Sequence, residues 1–237
     1  MSRNLKLLII ISLIFITGCS TKYDLTIDSD LNLKETVTLY ENNKTLEVYN
    51  NNLKLVPDQK FSQYKEMSTF KNYKLIKKIF EKDKTGGVIQ TKFSSLEKYR
   101  DSFVLTTIFE DIQFLEYGNI VNIQTSGYNP SIFVSEEDFE FFMEDIEVNI
   151  KFHNDVVENN AQKYDEKTNT YTWILNQDSK SGNIMFSIDK SKKRYDIIIK
   201  DFINDNLFSI IGIGTLLTIT LLITIVMYRK NKNSISI

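Results

Sequence analysis

Residues 207–228 read LFSIIGIGTLLTITLLITIVMY, 22 residues without a charge. As a helix they measure about 33 Å, enough to cross the hydrocarbon core of a bilayer. Their aliphatic side chains favour insertion by roughly 4–8 kcal/mol at most, since the per-residue contributions hold only at mid-membrane. A soluble surface helix needs a polar face, and this stretch has none. Gly212 and Gly214 weaken a soluble helix but are common in membrane ones. Asp201 and Asp205 precede the run, while Arg229, Lys230 and Lys232 follow it. The excess of basic residues on that side places the C-terminus in the cytoplasm.

A second apolar run, residues 7–16, follows the basic Arg3 and Lys6. It is too short for a transmembrane helix and has the form of a secretory signal peptide. It ends at Ile16-Thr17-Gly18-Cys19, and Cys19 is the only cysteine in the chain. These four residues resemble a bacterial lipobox. The resemblance implies cleavage between Gly18 and Cys19 and a diacylglycerol on the Cys19 sulfur. A plain signal peptide with an incidental cysteine is the alternative. A lone thiol forms neither an intramolecular disulfide nor a multi-cysteine metal site.

The two ends imply a topology: a signal peptide at 1–18, an extracytoplasmic domain at 19–206, a transmembrane helix at 207–228 and a cytoplasmic tail at 229–237. Between the apolar runs lie 24 basic and all 31 acidic residues, so this portion carries a charge of about -7 by subtraction. Nucleic-acid binding rests on basic patches, so no nucleic-acid partner is expected. Two acyl chains already hold a protein on a bilayer, so the helix suggests a further role. The spacers are short, Ser20 to Lys22 at one end and KDFINDN (200–206) at the other, and they predict a domain lying close to the outer leaflet of the plasma membrane.

Within that domain, period-2 alternation recurs between turn signals. Tyr23, Leu25 and Ile27 share one face, and after DSD the alternation resumes with Leu31, Leu33, Val37 and Leu39, predicting a hairpin. A second hairpin is expected to turn at Lys84-Thr85-Gly86-Gly87. Ser94 with Glu97, and Ser135 with Asp138, have capping-box spacing and predict short helices. Strands are expected near 104–110 and 119–125, then at IEVNIKF, NTYTWILN, NIMFSI and RYDIIIK. Residues 45–75 give no clear pattern. The fold class is therefore α+β, a mainly antiparallel β domain with a few short helices plus the C-terminal transmembrane helix.

The block EDIEVNIKFHNDVVENNAQKYDEKTNTYTWILN, residues 144–176, resembles the closing portion of the LppM-type bacterial lipoprotein domain. Asn160-Ala161 and Thr170-Tyr171-Thr172-Trp173 stand where that family has an Asn-Ala/Gly and a Thr-x-Thr-Trp. The specific motif covers about thirty residues, whereas the order of lipobox, strands and terminal helix covers nearly the whole chain. DSDLN departs from the pattern because it lacks the usual glycine of the first turn. The resemblance implies a β-rich lipoprotein domain, with lipid binding suggested in one branch, and carries over no catalytic residue. Read from the residues alone, Trp173 shares a face with Tyr171 and Leu175 and packs in a core, or else offers a stacking surface to a ligand.

Catalytic signals are sparse. His153 is the only histidine, which excludes histidine-rich metal sites, and its KFHND setting predicts a strand end with the side chain in an exposed loop. Glu136, Glu137, Asp138, Glu140, Glu144 and Asp145 contain enough acids for a glycosidase-type carboxylate pair, yet a helix N-terminus attracts acids without any chemistry. KTGG at 84–87 lacks the spacing of a phosphate-binding loop. No cofactor and no metal are expected. The sequence points to a non-enzymatic, membrane-proximal binding or scaffold lipoprotein whose partners are membrane lipid and a neighbouring membrane protein. An envelope hydrolase acting on wall or lipid-linked glycan is one alternative. An accessory subunit of a transporter or sensor is the other.

Overall fold

The computed structural model describes residues 19–43, 57–58, 72–102, 108–128, 143–176 and 183–234. Eleven strands are described: β1 (Cys19–Ile27), β2 (Leu33–Asn42), β3 (Lys74–Phe80), β4 (Lys84–Phe93), β5 (Asp111–Tyr117), β6 (Ile120–Ser126), β7 (Met143–Phe152), β8 (Asn154–Asn159), β9 (Lys163–Asp165), β10 (Thr170–Leu175) and β11 (Met185–Lys193). A single long helix, α1 (Tyr195–Ser234), follows them. The chain divides into two compact units, residues 1–194 and 195–237.

The strands form a seven-stranded sheet in the order β3-β4-β2-β1-β7-β10-β9 and a four-stranded sheet in the order β5-β6-β11-β8. Pairing is antiparallel except between β1 and β7, which run parallel at the centre of the large sheet. The protein is thus mostly β, with two mainly antiparallel sheets and one terminal helix. Tyr23, Leu25 and Ile27 of β1, Val148 and Ile150 of β7, and Tyr171, Trp173 and Leu175 of β10 are buried. They share a core with Ile112, Ile123, Phe186 and Ile188 of the small sheet. Phe186 lies between Phe152 and Trp173, with ring centroids 4.8 and 6.0 Å away. Alternation along each strand therefore supplies one inner face, as period 2 requires.

The two sheets share backbone at His153. The chain leaves β7 at Phe152, bends through one residue and enters β8 in the other sheet. At that bend the His153 N–H donates to the Ile27 carbonyl (3.0 Å), and the His153 carbonyl accepts from the Arg194 N–H (2.8 Å). The His153 side chain is half-buried. His153 does follow a strand end, as expected, but in place of an exposed loop it forms the corner where one sheet becomes the other.

The β1–β2 hairpin forms as the alternation predicts, with Ile27 opposite Leu33. Its turn closes without glycine because Leu31 adopts φ 62°, a conformation that costs a non-glycine residue about 1–2 kcal/mol. The Asp28 carboxylate offsets this by accepting from the N–H groups of Asp30 (2.8 Å) and Asn32 (2.9 Å) and from the Asn32 amide (2.9 Å). An aspartate bonding its own backbone two residues on mimics a turn.

Other expectations are corrected. The second hairpin exists, but it turns at Glu81–Lys84, closed by the Glu81 N–H to the Lys84 carbonyl (2.8 Å). Gly86 and Gly87 lie inside β4, opposite Ile79 and Lys78. A Cβ on Gly87 would come within 2.9 Å of Leu75 Cδ1, so this glycine leaves room for the Leu75 side chain beside the β3 irregularity and does not form a turn. Ser94 does not cap a helix. Residues Glu97–Asp101 form a 3-10 turn without a side-chain cap, and the Ser95 hydroxyl accepts the Lys98 N–H at 3.3 Å. Of the strand expected near 104–110, the described residues 108–110 are not part of a strand; Ile108 and Phe109 are buried, and the strand begins at Asp111. The helix expected from Ser135 lies outside the described residues.

The ends differ most from expectation. RYDIIIK is not a strand; helix begins at Tyr195. Ile198 and Ile199 recur as Phe202 and Ile203 four residues on, a helical spacing that outweighs the β preference of isoleucine. The spacer at 200–206 is therefore helix, and the spacer at 20–22 is already strand. Along α1 the Thr215, Thr220 and Thr224 hydroxyls donate to the carbonyls of Ile211, Leu216 and Thr220 at 2.8–2.9 Å, and Thr218 donates to Gly214. Hydroxyls satisfied within their own helix carry little penalty in an apolar medium. The helix is long and apolar enough to cross a membrane.

Candidate functional site

The sheets enclose an apolar cavity. Leu25, Ile27 and Leu33 line one wall and Ile112, Ile123 and Phe186 the other, with Tyr23, Tyr99 and Thr125 as polar members. No carboxylate lines it among the described residues. The Thr125 hydroxyl is engaged, accepting the Ile184 N–H at 2.8 Å. The free volume is about 20 Å³, room for one water-sized molecule, whereas small-molecule sites occupy about 300–1,000 Å³. The sheets must part before a larger guest enters.

At its tyrosine side the cavity adjoins a buried polar cluster that the sequence reading did not single out. Glu35, on β2, is fully buried and sits between Leu25 of β1 and Thr91 of β4 in the sheet register. The Tyr23 and Tyr99 hydroxyls are hydrogen-bonded to each other. Burial pushes the Tyr23 phenol well above its ordinary value, and the Glu35 charge and the Tyr99 and Tyr73 phenols push it further. Burial likewise raises Tyr99, followed by Glu35, while bonds with Tyr23 and Ser102 oppose the rise. Both phenols stay neutral and remain hydrogen-bond donors. The signal for Glu35 was present in the alternation, because it occupies the inward slot between Leu33 and Val37.

The structure also explains the Asn160 to Trp173 motif. Trp173 is 1% exposed, so its ring packs in the core. Its indole N–H donates to Asn160 Oδ1 at 2.7 Å, and the same oxygen accepts the Met185 N–H at 2.9 Å. The Asn160 amide donates to the Asn183 carbonyl at 2.9 Å. One side chain thereby ties β10 of the large sheet to β11 of the small one. On the opposite face, Thr172 donates to Asn149 (2.6 Å), and Asn149 donates to Glu147 (2.9 Å) and Asp24 (3.1 Å).

The remaining expected residues do not converge on this cavity. Cys19 opens β1, its backbone opposite Met143. Gly18, Glu136, Glu137, Asp138 and Glu140 lie outside the described residues, and Glu144 and Asp145 are placed only as part of β7. Among the described residues no three His, Cys, Asp or Glu side chains are grouped as metal ligands. The Asp189 carboxyl is held below its usual range by the Ser191 hydroxyl and N–H, and Lys192 lies beside it. That arrangement is a local turn.

The chain matches no protein-family profile and no curated protein. Among solved structures it is similar to the NMR structure of the folded domain of Mycobacterium tuberculosis LppM. The two share a TM-score of 0.47 and 14% identity over 76% of this chain and 93% of that one. At that score and identity the likeness carries no conclusion about what this chain binds or does.

Proposed function

We propose that this chain is a lipoprotein of the bacterial cell envelope, held at the plasma membrane by a diacylglycerol on Cys19 and by α1. In this reading its β domain binds apolar or lipid molecules without catalysis, and the C-terminus is cytoplasmic. The observation that supports binding over hydrolysis is the lining of the inter-sheet cavity. Among the described residues its polar lining is two neutral phenols and an engaged threonine, and the buried Glu35 lies in the adjoining cluster, not in the lining. Two hydrogen-bonding phenols at the edge of an otherwise aliphatic cavity suit a guest that is mostly hydrocarbon with a small polar end.

The test uses the full chain in membranes with a photoactivatable fatty-acyl phospholipid. Crosslinks should map to peptides carrying Leu33, Tyr99 and Ile123. Crosslinks confined to α1 would overturn the binding reading. For the anchors, Cys19→Ala should abolish lipid labelling and lipoprotein-type cleavage while the protein stays in the membrane pellet. Release into the supernatant would show that α1 does not span.

A further inference from the structure

Reading across the large sheet shows what lies level with Cys19. Thr21 of β1 is opposite Leu39 of β2, Leu39 opposite Gly87 of β4, and Gly87 opposite Lys78 of β3. Cys19 is two residues before Thr21, and Phe80 is two residues beyond Lys78 in the same direction along the sheet. Three inter-strand steps separate β1 from β3, about 14 Å. The turn Glu81–Lys84 extends further past that row.

This corner differs from the rest of an acidic domain. Residues 74–84 read KLIKKIFEKDK, with five lysines against Glu81 and Asp83, a local charge of +3 by subtraction. Lys74, Lys77, Lys78 and Lys82 are exposed. Two large apolar side chains stand among them, Ile76 at 52% and Phe80 at 50% exposure. Two cations have local partners: Lys78 bonds Asp58 at 2.6 Å, while Lys84 lies 3.5 Å from Glu81 and 4.2 Å from the Tyr40 ring centroid. Lysines that guard an exposed strand edge are common and need no ligand. Guarding does not account for a phenylalanine and an isoleucine left half in water between them.

We propose that the β3–β4 hairpin is a membrane-contact surface that inserts Phe80 and Ile76 among the lipids of an anionic bilayer while Lys74, Lys77 and Lys82 meet the headgroups. Lysine stems can lie along apolar surface with their charges in the headgroup layer, and this strand sets exposed lysines on either side of Ile76 and Phe80. The reading builds on lipid attachment at Cys19, because an acylated Cys19 delivers this corner to the bilayer.

The experiment uses the full chain in vesicles of phosphatidylcholine with about one third phosphatidylglycerol, some of the phosphatidylcholine carrying brominated acyl chains. A fluorophore on Asp83→Cys reports contact by quenching, and mass spectrometry reports diacylglycerol on Cys19. Quenching should be strong, fall about five- to tenfold with Phe80→Ser plus Ile76→Ser, and fall similarly with Lys77→Glu plus Lys82→Glu or on phosphatidylcholine alone. An unquenched label on a chain whose Cys19 is acylated overturns the hairpin contact and leaves the lipoprotein reading standing. Quenching that ignores both pairs of substitutions overturns it as well. If Cys19 carries no diacylglycerol, the lipoprotein reading fails, and variant-sensitive quenching would still uphold the contact surface.

Discussion

The two ends of β1 are built to opposite plans. At the Ile27 end, turns and sheet corner are woven together. Asn169, 1% exposed and at φ 52°, donates to the carbonyls of Phe152 (2.9 Å) and Asn154 (3.1 Å) and accepts from Arg194 (3.4 Å). His153, Arg194 and the Asp28 turn lie beside it, and Lys193 reaches Asp30 at 3.1 Å. At the Cys19 end the β3–β4 hairpin presents exposed cations and half-exposed apolar side chains. About 26 Å of strand separates the two, eight steps of 3.3 Å. One end spends its polar groups on holding the fold, and the other keeps its side chains available to a partner. Substitutions at the two ends should therefore fail in different assays.

The largest effect is expected between those ends, at the tyrosine cluster. Free phenols ionise near pH 10, whereas Tyr23 and Tyr99 keep their protons well above that, and Tyr171 is pushed up to about 12 by burial and by Tyr164. Above pH 10 the unfolded chain sheds protons that the folded one retains. Stability should be level up to pH 10 and drop steeply beyond it. Urea midpoints from pH 8 to 11.5 would show this, and a flat profile would mean the cluster is open to solvent. Asn169→Ala comes next, at about 3 kcal/mol, since it strands two buried carbonyls and puts alanine at positive φ. A loss below about 1 kcal/mol in urea unfolding would contradict the weave. Asn160→Ala should cost about 1–2 kcal/mol by leaving a buried indole N–H unsatisfied, and should change Trp173 fluorescence. An unchanged spectrum would mean the bond between the sheets does not persist in solution. Smallest of all, Phe80→Ser should change stability by no more than about 0.5 kcal/mol. A larger loss would show that Phe80 supports the fold and does not await a partner.

Much of this was legible because strand alternation is short-range. Tyr23, Leu25, Ile27, Trp173 and Leu175 point inward as period 2 requires. Glycine misled at Gly86-Gly87, which lie inside β4 opposite β3, where the Leu75 side chain packs against Gly87. Isoleucine misled at 197–199, because its strand preference is weaker than the i, i+4 recurrence running into an apolar helix. The parallel pairing of β1 with β7 joins residues more than a hundred positions apart, and no local pattern encodes it. Glu35 could have been found as an acid in the inward slot between Leu33 and Val37, yet its relation to Tyr23 and Tyr99 depends on which strands become neighbours.

The one-residue passage from β7 to β8 at His153, the shortest of the crossings between the sheets, gives the sandwich some of the mechanics of a bound book. That residue acts as a spine, its N–H bonded to the Ile27 carbonyl and its carbonyl to the Arg194 N–H, and these bonds oppose sliding of one cover past the other. The Asn160 bond to the Trp173 indole serves as the clasp on the fore-edge, so a swing of the covers about His153 that widened the 20 Å³ interior would have to undo that clasp.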